Sequence, residues 1–502
     1  MTAYERKRCS VLIVGAGSTG MAAALELCRH GVIPVLVDGS PRAQRESRGT
    51  GLQSRTLELL DIHGVSDRLV ETGTPISAFV SIKNQHEIGR IDFSLIPSRY
   101  SSAPALPQYR TEGVLRERLA EYGVVPMWDH RINGLVQTED SVLVTLENAR
   151  EIVEIEADYV IGCDGARSTT RKLISMPFDG KSYPEGWGLL DVTLKWDLSS
   201  DEVRVYRLDG PQQFVVTPLG GTNYRVQLDN RPEELAGLPP TLEEMREAFT
   251  RYTGMIAEIS DPVWASAFNI HRRQAIAYRS GRVFIGGDAA HIHTPAGGQG
   301  LNTGVQDGLN IGWKLAMVVN GHAKADLLDT YEQERQPIAA GVLELAERLA
   351  RNPDGLLTRR DVSPIALATQ VSQLLVNYRD GPLGQALRGE GQLGAGDRVP
   401  DVEINGESIY RAARAPEFIL ALFGSNVPWK QWLDLPDDLP LQVWTLPADS
   451  ALARALGGVP GAALIRPDGY LGLVADGAVD EAARMALEWL AVWTNVKQRQ
   501  IA

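Results

Sequence analysis

Three carboxylates, Asp38, Asp164 and Asp288, each close a short apolar run. The carboxyl ends of strands are where open α/β sheets bind ligands. The first run, Ser10 to Val14, leads into Gly15-Ala16-Gly17-Ser18-Thr19-Gly20 and a helical stretch reaching about His30, with Gly31 as its stop. A second run from Val32 to Val37 then ends at Asp38. Strand, glycine turn, helix, strand and acid in that order form a dinucleotide fingerprint. Gly15 and Gly17 let the backbone turn and approach a pyrophosphate, Gly20 permits close helix–strand packing, and Asp38 accepts hydrogen bonds from a ribose. Asp288 follows the buried run Val283 to Gly286 and precedes a Pro- and Gly-rich loop from His291 to Gly300. Val305, Leu309, Gly312, Trp313 and Ala316 then mark one buried face of a helix over 302–319. The backbone N–H groups of Leu301 and Asn302 at its start offer positive partial charge. Gly297, Gly298 and Gly300 leave room for a flat ligand to approach the backbone. A ligand that turns anionic during its chemistry suits such a place.

A reduced flavin is one such ligand, and the longer string agrees. GDAAHIHTPAGGQGLNTGVQDGLNIGWKLA closely resembles the second flavin-contact motif of FAD-dependent aromatic hydroxylases with the p-hydroxybenzoate hydroxylase fold. The resemblance extends to Cys163-Asp164-Gly165-Ala166-Arg167-Ser168, similar to a motif shared between FAD and nicotinamide binding, and to Arg48-Gly49-Thr50-Gly51-Leu52 and Pro107-Gln108. It implies that Arg48 and Gln108 lie near the flavin, joining Ser18, Thr19, Asp164, Asp288, Pro295, Gly298 and Gly300 as cofactor-binding positions. It further implies NADPH or NADH as electron donor, bound without a Rossmann domain of its own, since no second glycine fingerprint in a strand–helix setting is present.

These groups are positioned by an α/β chain of several domains, because 502 residues exceed what one core accommodates. A Rossmann-type FAD-binding domain is expected over 1–177 and 276–378, with 76–104 contributing to the substrate side. The inserted 178–275 reads as a mainly antiparallel substrate-domain sheet without intervening helices from about Phe178 to Ile270. Leu190, Val192, Leu194 and Trp196 alternate with Asp191, Thr193 and Lys195, and Tyr224, Val226 and Leu228 with Arg225 and Gln227. Trp187, Tyr224 and Arg225 are candidates for lining a substrate pocket. Arg55 and Glu58 read as a surface pair.

After a glycine-rich linker at 379–399, residues 400–502 carry strands at Phe418–Phe423 and Leu441–Leu446, a hairpin over Ala463–Val474, and a helix with Ala482, Met485, Trp489 and Trp493 on one face. This region resembles the thioredoxin-like carboxyl domain of phenol-type hydroxylases, with RPDGY its best-matched string and Pro460 the candidate for that fold's cis-proline. Leu473 and Val474 stand where that family usually has Trp and Arg. No CxxC is present, so dithiol chemistry is not expected there.

The net charge of −13 argues against nucleic acid or an anionic membrane as partner. Three scattered cysteines fit neither a disulfide framework nor a zinc site and suit a reducing cytoplasm. The resemblance implies a small aromatic substrate and O₂ as partners, with a homodimer among the assemblies it allows. The implied activity is hydroxylation of a phenolic or other electron-rich ring through a flavin C4a-hydroperoxide. Baeyer–Villiger oxidation, oxidative decarboxylation and non-catalytic flavin or drug binding stay open on the motifs alone.

Overall fold

The computed structural model describes residues 7–45, 49–210, 212–294, 296–351, 363–384, 392–425, 428–432, 435, 439–458 and 461–495. In chain order, the elements that frame the site begin with β1 (Lys7–Val14), α1 (Ser18–Arg29), β2 (Val35–Val37), α2 (Gln108–Glu121) and β3 (Ile152–Gly162). Then come β4 (Phe178–Lys195), β5 (Glu202–Arg207), β6 (Gln213–Gly220), β7 (Asn223–Arg231), α3 (Leu242–Thr253) and β8 (Glu258–Ala275). The set closes with β9 (Val283–Ile285), α4 (Gly300–Val319) and α5 (Asp329–Arg351).

The strands β9, β3, β1 and β2 lie side by side and parallel, so the ends of β1, β3 and β9 bring Gly15, Asp164 and Asp288 to one edge. β3 is one continuous strand whose first half pairs antiparallel with Val142–Glu147. Helix α4 crosses α1 at close range. Gly304, Gly308 and Gly312 recur every fourth residue on its α1-facing side. A Cβ at Gly308 would lie 2.3 Å from the Thr19 carbonyl oxygen, so glycine is required by contact rather than by conformation.

The second sheet has eight strands, including β8, β4, β7, β6 and β5 in that order. The hairpin Ala78–Lys83/His86–Asp92 extends it, Ala78–Lys83 pairing parallel to β5. Its two faces differ in kind. Leu190, Val192, Tyr206, Phe214, Tyr224 and Val226 point to one side and pack on Met245, Phe249 and Tyr252 of α3. Two helices, α3 and Glu233–Ala236, thus interrupt a stretch expected to be all strand. The signal for α3 was local: Thr241 accepts from Glu244 N–H as N-cap, and Gly254 (φ 70°) ends the helix in the left-handed conformation.

In the carboxyl region, β10 (Phe418–Phe423), β11 (Leu441–Leu446), β12 (Ala462–Ile465) and β13 (Leu471–Ala475) form a sheet in the order β11-β10-β12-β13. β10 and β11 run parallel, and the other pairs antiparallel. Helix α6 (Val479–Trp493) covers it with Ala482, Ala483, Ala486, Leu487 and Leu490. Met485 is exposed, so the expected apolar face is rotated: the sheet presses on a narrow alanine stripe, and Trp489 and Trp493 only flank it. The Val459–Pro460 bond lies outside the described residues.

Arg55 and Glu58 are fully buried rather than a surface pair. Arg55 donates to Tyr410 (2.7 Å) and to the Gly469 carbonyl (3.2 Å), and Arg398 bonds Glu58. The carboxyl region packs on the helix Ser54–Asp61 that carries both residues, and burial of its charges follows from that contact. Among the described residues no helix is long and apolar enough to cross a membrane.

Candidate functional site

A cavity of about 530 Å³ opens between the parallel sheet's carboxyl edge and the face of the second sheet turned away from α3. Its floor is built from the glycine turns. Gly15 has φ 109°, and a Cβ there would sit 2.2 Å from the Cys163 carbonyl oxygen, so this crossing admits no side chain. A Cβ at Gly20 would strike the Gly15 carbonyl at 1.9 Å. Gly17, Ser18 and Thr19 face the cavity at the start of α1, whose first turn has no side-chain cap. Asp38 lies at the end of β2, where its carboxylate accepts from Ala16 N–H (2.8 Å) and Ser40 N–H (2.7 Å). It braces the glycine turn from outside the cavity lining.

Gln108 begins α2 and lines the cavity. Its amide donates to Glu112 (2.8 Å), which also accepts from the N–H (3.2 Å) and hydroxyl (3.1 Å) of Ser18, locking α2 to the start of α1. Burial raises the Glu112 carboxyl above its ordinary range against the lowering effect of those bonds. Asp164 caps Thr169–Leu173 instead of facing the cavity: it accepts from the N–H groups of Thr169 and Thr170 and the hydroxyls of Ser168 and Thr170. Its neighbours Cys163, Gly165 and Ala166 form the wall. Asp288 sits on the turn Gly287–Ala289 with its side chain exposed at the cavity. That turn is held by Asp307 of α4, which accepts from Gly287 N–H (3.0 Å), bonds His291 (2.6 Å) and pairs with Arg335 (2.7 Å). Burial raises the Asp307 carboxyl, but Arg335 and His291 outweigh it and hold the group below its ordinary range.

Gly297 (φ 77°) and Gly298 (φ 65°) both take the left-handed conformation, and with Gly300 and Leu301 they present backbone to the cavity. The helix begins two residues earlier than expected, at Gly300, and has no side-chain cap. Asn302 is buried and acts through its side chain, which donates to the Gly51 and Gly298 carbonyls and accepts from Gln53 N–H. Arg48 and Pro295 lie outside the described residues.

The roof is the other face of the second sheet, where Trp187, Val203, Val205, Val215 and Phe268 mix with Gln213, Thr217 and Gln227. Trp187 lines the cavity, 4% exposed, and stacks on Phe268 across the strand pair β4–β8. Tyr224 does not belong there: it points to the opposite face and meets Trp196 edge-on at 5.7 Å. Arg225 has the right parity but is committed to Asp191 (2.7 and 2.9 Å), and its guanidinium lies over Trp264. The alternation in β7 was read correctly, but of the two candidates taken from its opposite faces only Arg225 shares the side that carries Gln227 into the cavity. Apolar residues follow α3, and it is Gln227, with Gln213 and Thr217 of β6, that reaches the cavity.

Gln53 and His293 were missed as well. Gln53 is 1% exposed; its Nε2 donates to the Gly297 carbonyl (3.3 Å), and its Oε1 has no partner. His293 Nδ1 donates to the Thr294 carbonyl (2.6 Å), leaving Nε2 without a partner. Burial pushes the His293 imidazole down to about 4, so it is neutral near pH 7 and Nε2 is an acceptor. No sequence spacing marks a glutamine in a loop or singles out His293.

The geometry fits a flavin dinucleotide: an open helix start among glycines for a pyrophosphate, a second open helix start beside left-handed glycines for a flat ring, and an orphaned acceptor between them. The FAD-binding-domain family matches residues 8–346. Pentachlorophenol 4-monooxygenase of Sphingobium chlorophenolicum is 37% identical over 79% of this chain and 76% of its own. A flavin-dependent monooxygenase of Mycobacteroides abscessus is 33% identical over 96% of this chain and 99% of its own. The solved structure of OxyS anhydrotetracycline hydroxylase from Streptomyces rimosus superposes with a TM-score of 0.78 at 32% identity, covering 97% of this chain and 99% of that one. The chain belongs to the FAD-dependent monooxygenases built on this FAD-binding domain.

Proposed function

We propose that this FAD-dependent monooxygenase hydroxylates a phenolic ring held between the glycine loop 297–300 and the roof formed by β4, β6, β7 and β8. The observation that carries this reading is the cavity itself: one wall of bare backbone and an opposite wall of Trp187, Phe268, Gln213 and Gln227. FAD, when bound, takes a hydride from NAD(P)H and supplies an activated oxygen atom derived from O₂.

The residues' own tasks follow from their places. Gly15, Gly17, Ser18, Thr19 and Gly20 would hold the pyrophosphate, with Asp38 bracing the turn toward the ribose. Asp288 would bind the chain between phosphate and ring. Gly298, Gly300, Leu301 and the backbone of Asn302 would receive the ring, the helix start stabilising negative charge there by up to about 2 kcal/mol when partly buried. Gln53 Oε1 is an acceptor placed for the ring's imide N–H, and Gln108 bounds the same space. Asp164 would act indirectly, by fixing the loop Gly165–Ala166. The roof excludes water from the reacting carbon.

The expected domain division, 1–177 with 276–378, 178–275 with 76–104, and 400–502, is supported by the two sheets and the separate carboxyl sheet. A thioredoxin-like carboxyl unit is supported by its strand order and directions, first beside second parallel, third and fourth antiparallel.

The test is NAD(P)H consumption by the holoenzyme with a panel of phenols under ¹⁸O₂. One labelled atom in the product is expected. Consumption that yields only hydrogen peroxide with every phenol refutes the reading.

A further inference from the structure

Buried hydrogen-bonding atoms without partners destabilise a fold, so such an atom in a residue that lines a cavity points to a ligand that pairs with it. Besides Gln53, the residues lining the cavity include Trp187 and His293, each with one such atom. Trp187 Nε1 is a donor only, held rigidly by the stack with Phe268 at a ring separation of 6.4 Å and an interplanar angle of 18°. His293 Nε2 is an acceptor only, because Nδ1–H is spent on the Thr294 carbonyl. The two sit on different walls: Trp187 on the sheet roof, His293 beside Gly300, where a Cβ would lie 3.4 Å from its Nε2. A ligand seated against both walls must offer an acceptor to Trp187 and a donor to His293, or leave that pairing unmade.

We propose that the cavity selects an aromatic substrate carrying a ring hydroxyl at its flavin-side end and a carbonyl oxygen toward the roof, the hydroxyl donating to His293 Nε2 and the carbonyl accepting from Trp187 Nε1. This rests on the hydroxylase reading above and deepens it by naming the substrate's hydrogen-bond pattern. A halogenated phenol lacking an acceptor of that kind leaves the indole N–H unpaired. A hydroxyl donating to an imidazole also enriches its ring, which favours attack by an electrophilic oxygen at the positions it activates.

The experiment measures binding to the holoenzyme by quenching of flavin fluorescence, with three probes of one skeleton. 4-Hydroxybenzophenone carries both groups, 4-benzylphenol lacks the carbonyl, and 4-methoxybenzophenone lacks the hydroxyl donor. Sites built around a polar group discriminate strongly against analogues without it. The wild type should bind 4-hydroxybenzophenone at least about ten-fold more tightly than either analogue, a ratio equivalent to one hydrogen bond of about 1.4 kcal/mol. Trp187→Phe should erase the preference over 4-benzylphenol and keep that over 4-methoxybenzophenone; His293→Phe should do the converse. Equal or absent binding of the three probes by the wild type overturns the proposal, as do preferences that survive both substitutions. If His293→Phe fails to fold, the wild-type ratios and Trp187→Phe still decide. Preferences without any phenol-stimulated NAD(P)H consumption would sink the hydroxylase reading and leave this one standing; stimulated consumption without preferences would do the reverse.

Discussion

Replacing Arg466 with methionine should cost this enzyme about 3 kcal/mol of stability although Arg466 lies in the carboxyl region. Its guanidinium is fully buried and donates to both oxygens of Glu334 (2.6 and 2.9 Å) and both of Asp468 (3.0 and 2.6 Å). Arg466→Met preserves the side chain's length and removes all four bonds while leaving two buried carboxylates. Breaking a buried ion pair from one side costs about 3–5 kcal/mol. The lower end applies here because neither acid is stranded. Glu334 keeps Lys314 (2.6 Å) and Asn310 (2.9 Å), and Asp468 keeps the Trp313 indole N–H (3.0 Å). Urea unfolding followed by tryptophan fluorescence is the assay. With a slope near 3 kcal/mol per M, the midpoint should fall by about 1 M. A midpoint shifted by less than about 0.3 M would show that the network is not the junction we take it to be.

The same network has a pH signature. Burial raises the Glu334 carboxyl, but Arg466 and Lys314 outweigh it and hold the group at about 2. A depressed folded value contributes stability above the ordinary 4.5 that is lost as pH falls toward about 2. The wild-type advantage over Glu334→Gln in urea midpoint should therefore shrink across that window; an advantage constant from pH 5 to 2.5 would contradict it. Asp229 behaves in the opposite sense. Burial lifts its carboxyl from 3.8 to about 7, so its ionisation costs folding stability as pH rises through that interval. Asp229→Asn, which can still accept from Gln213 N–H (2.6 Å in the wild type), should gain on the wild type between pH 4 and 7 and hold the gain above it. A gain independent of pH rules this out. Asp288→Ala should weaken FAD binding by about 1.5–3 kcal/mol, or roughly ten- to hundred-fold, through loss of a charged hydrogen-bonding group at the cavity. Equilibrium dialysis of FAD against the apoprotein measures it, and an unchanged affinity would remove Asp288 from the site.

What the sequence made legible was backbone. Gly15, Gly20 and Gly298 are written into composition because no other residue tolerates their contacts or their φ. Strand ends carrying Asp38, Asp164 and Asp288 could be placed for the same reason, the apolar runs before them being buried on both faces. Side-chain direction was legible only to parity. Tyr224 and Gln227 were assigned to opposite faces correctly, yet which face met the cavity depended on α3, whose N-cap at Thr241 was overlooked. Buried charge was not legible at all. Arg55, Glu58, Arg466 and Asp468 look in sequence like surface residues, since only tertiary contact decides whether an ion pair is solvated.

Those buried charges also account for where the carboxyl region touches the catalytic half. Helix α4 is 20 residues long, hence about 30 Å. Its first turn faces the cavity at Gly300 and Leu301; its third and fourth turns carry Asn310, Trp313 and Lys314, which meet Asp468 and Glu334. The glycines of its α1-facing side fix it sideways, but apolar and glycine contacts resist sliding along the axis weakly, because neighbouring turns are nearly equivalent. Directional bonds from Trp313 Nε1 and Lys314 Nζ allow one axial position. Asp307 and Arg335 impose the same restriction about two turns nearer the cavity, where Asp307 also holds Gly287 N–H and so the turn bearing Asp288. The carboxyl region thus holds α4, whose start lies at the cavity, through the bonds that Asp468 accepts from Asn310 and Trp313.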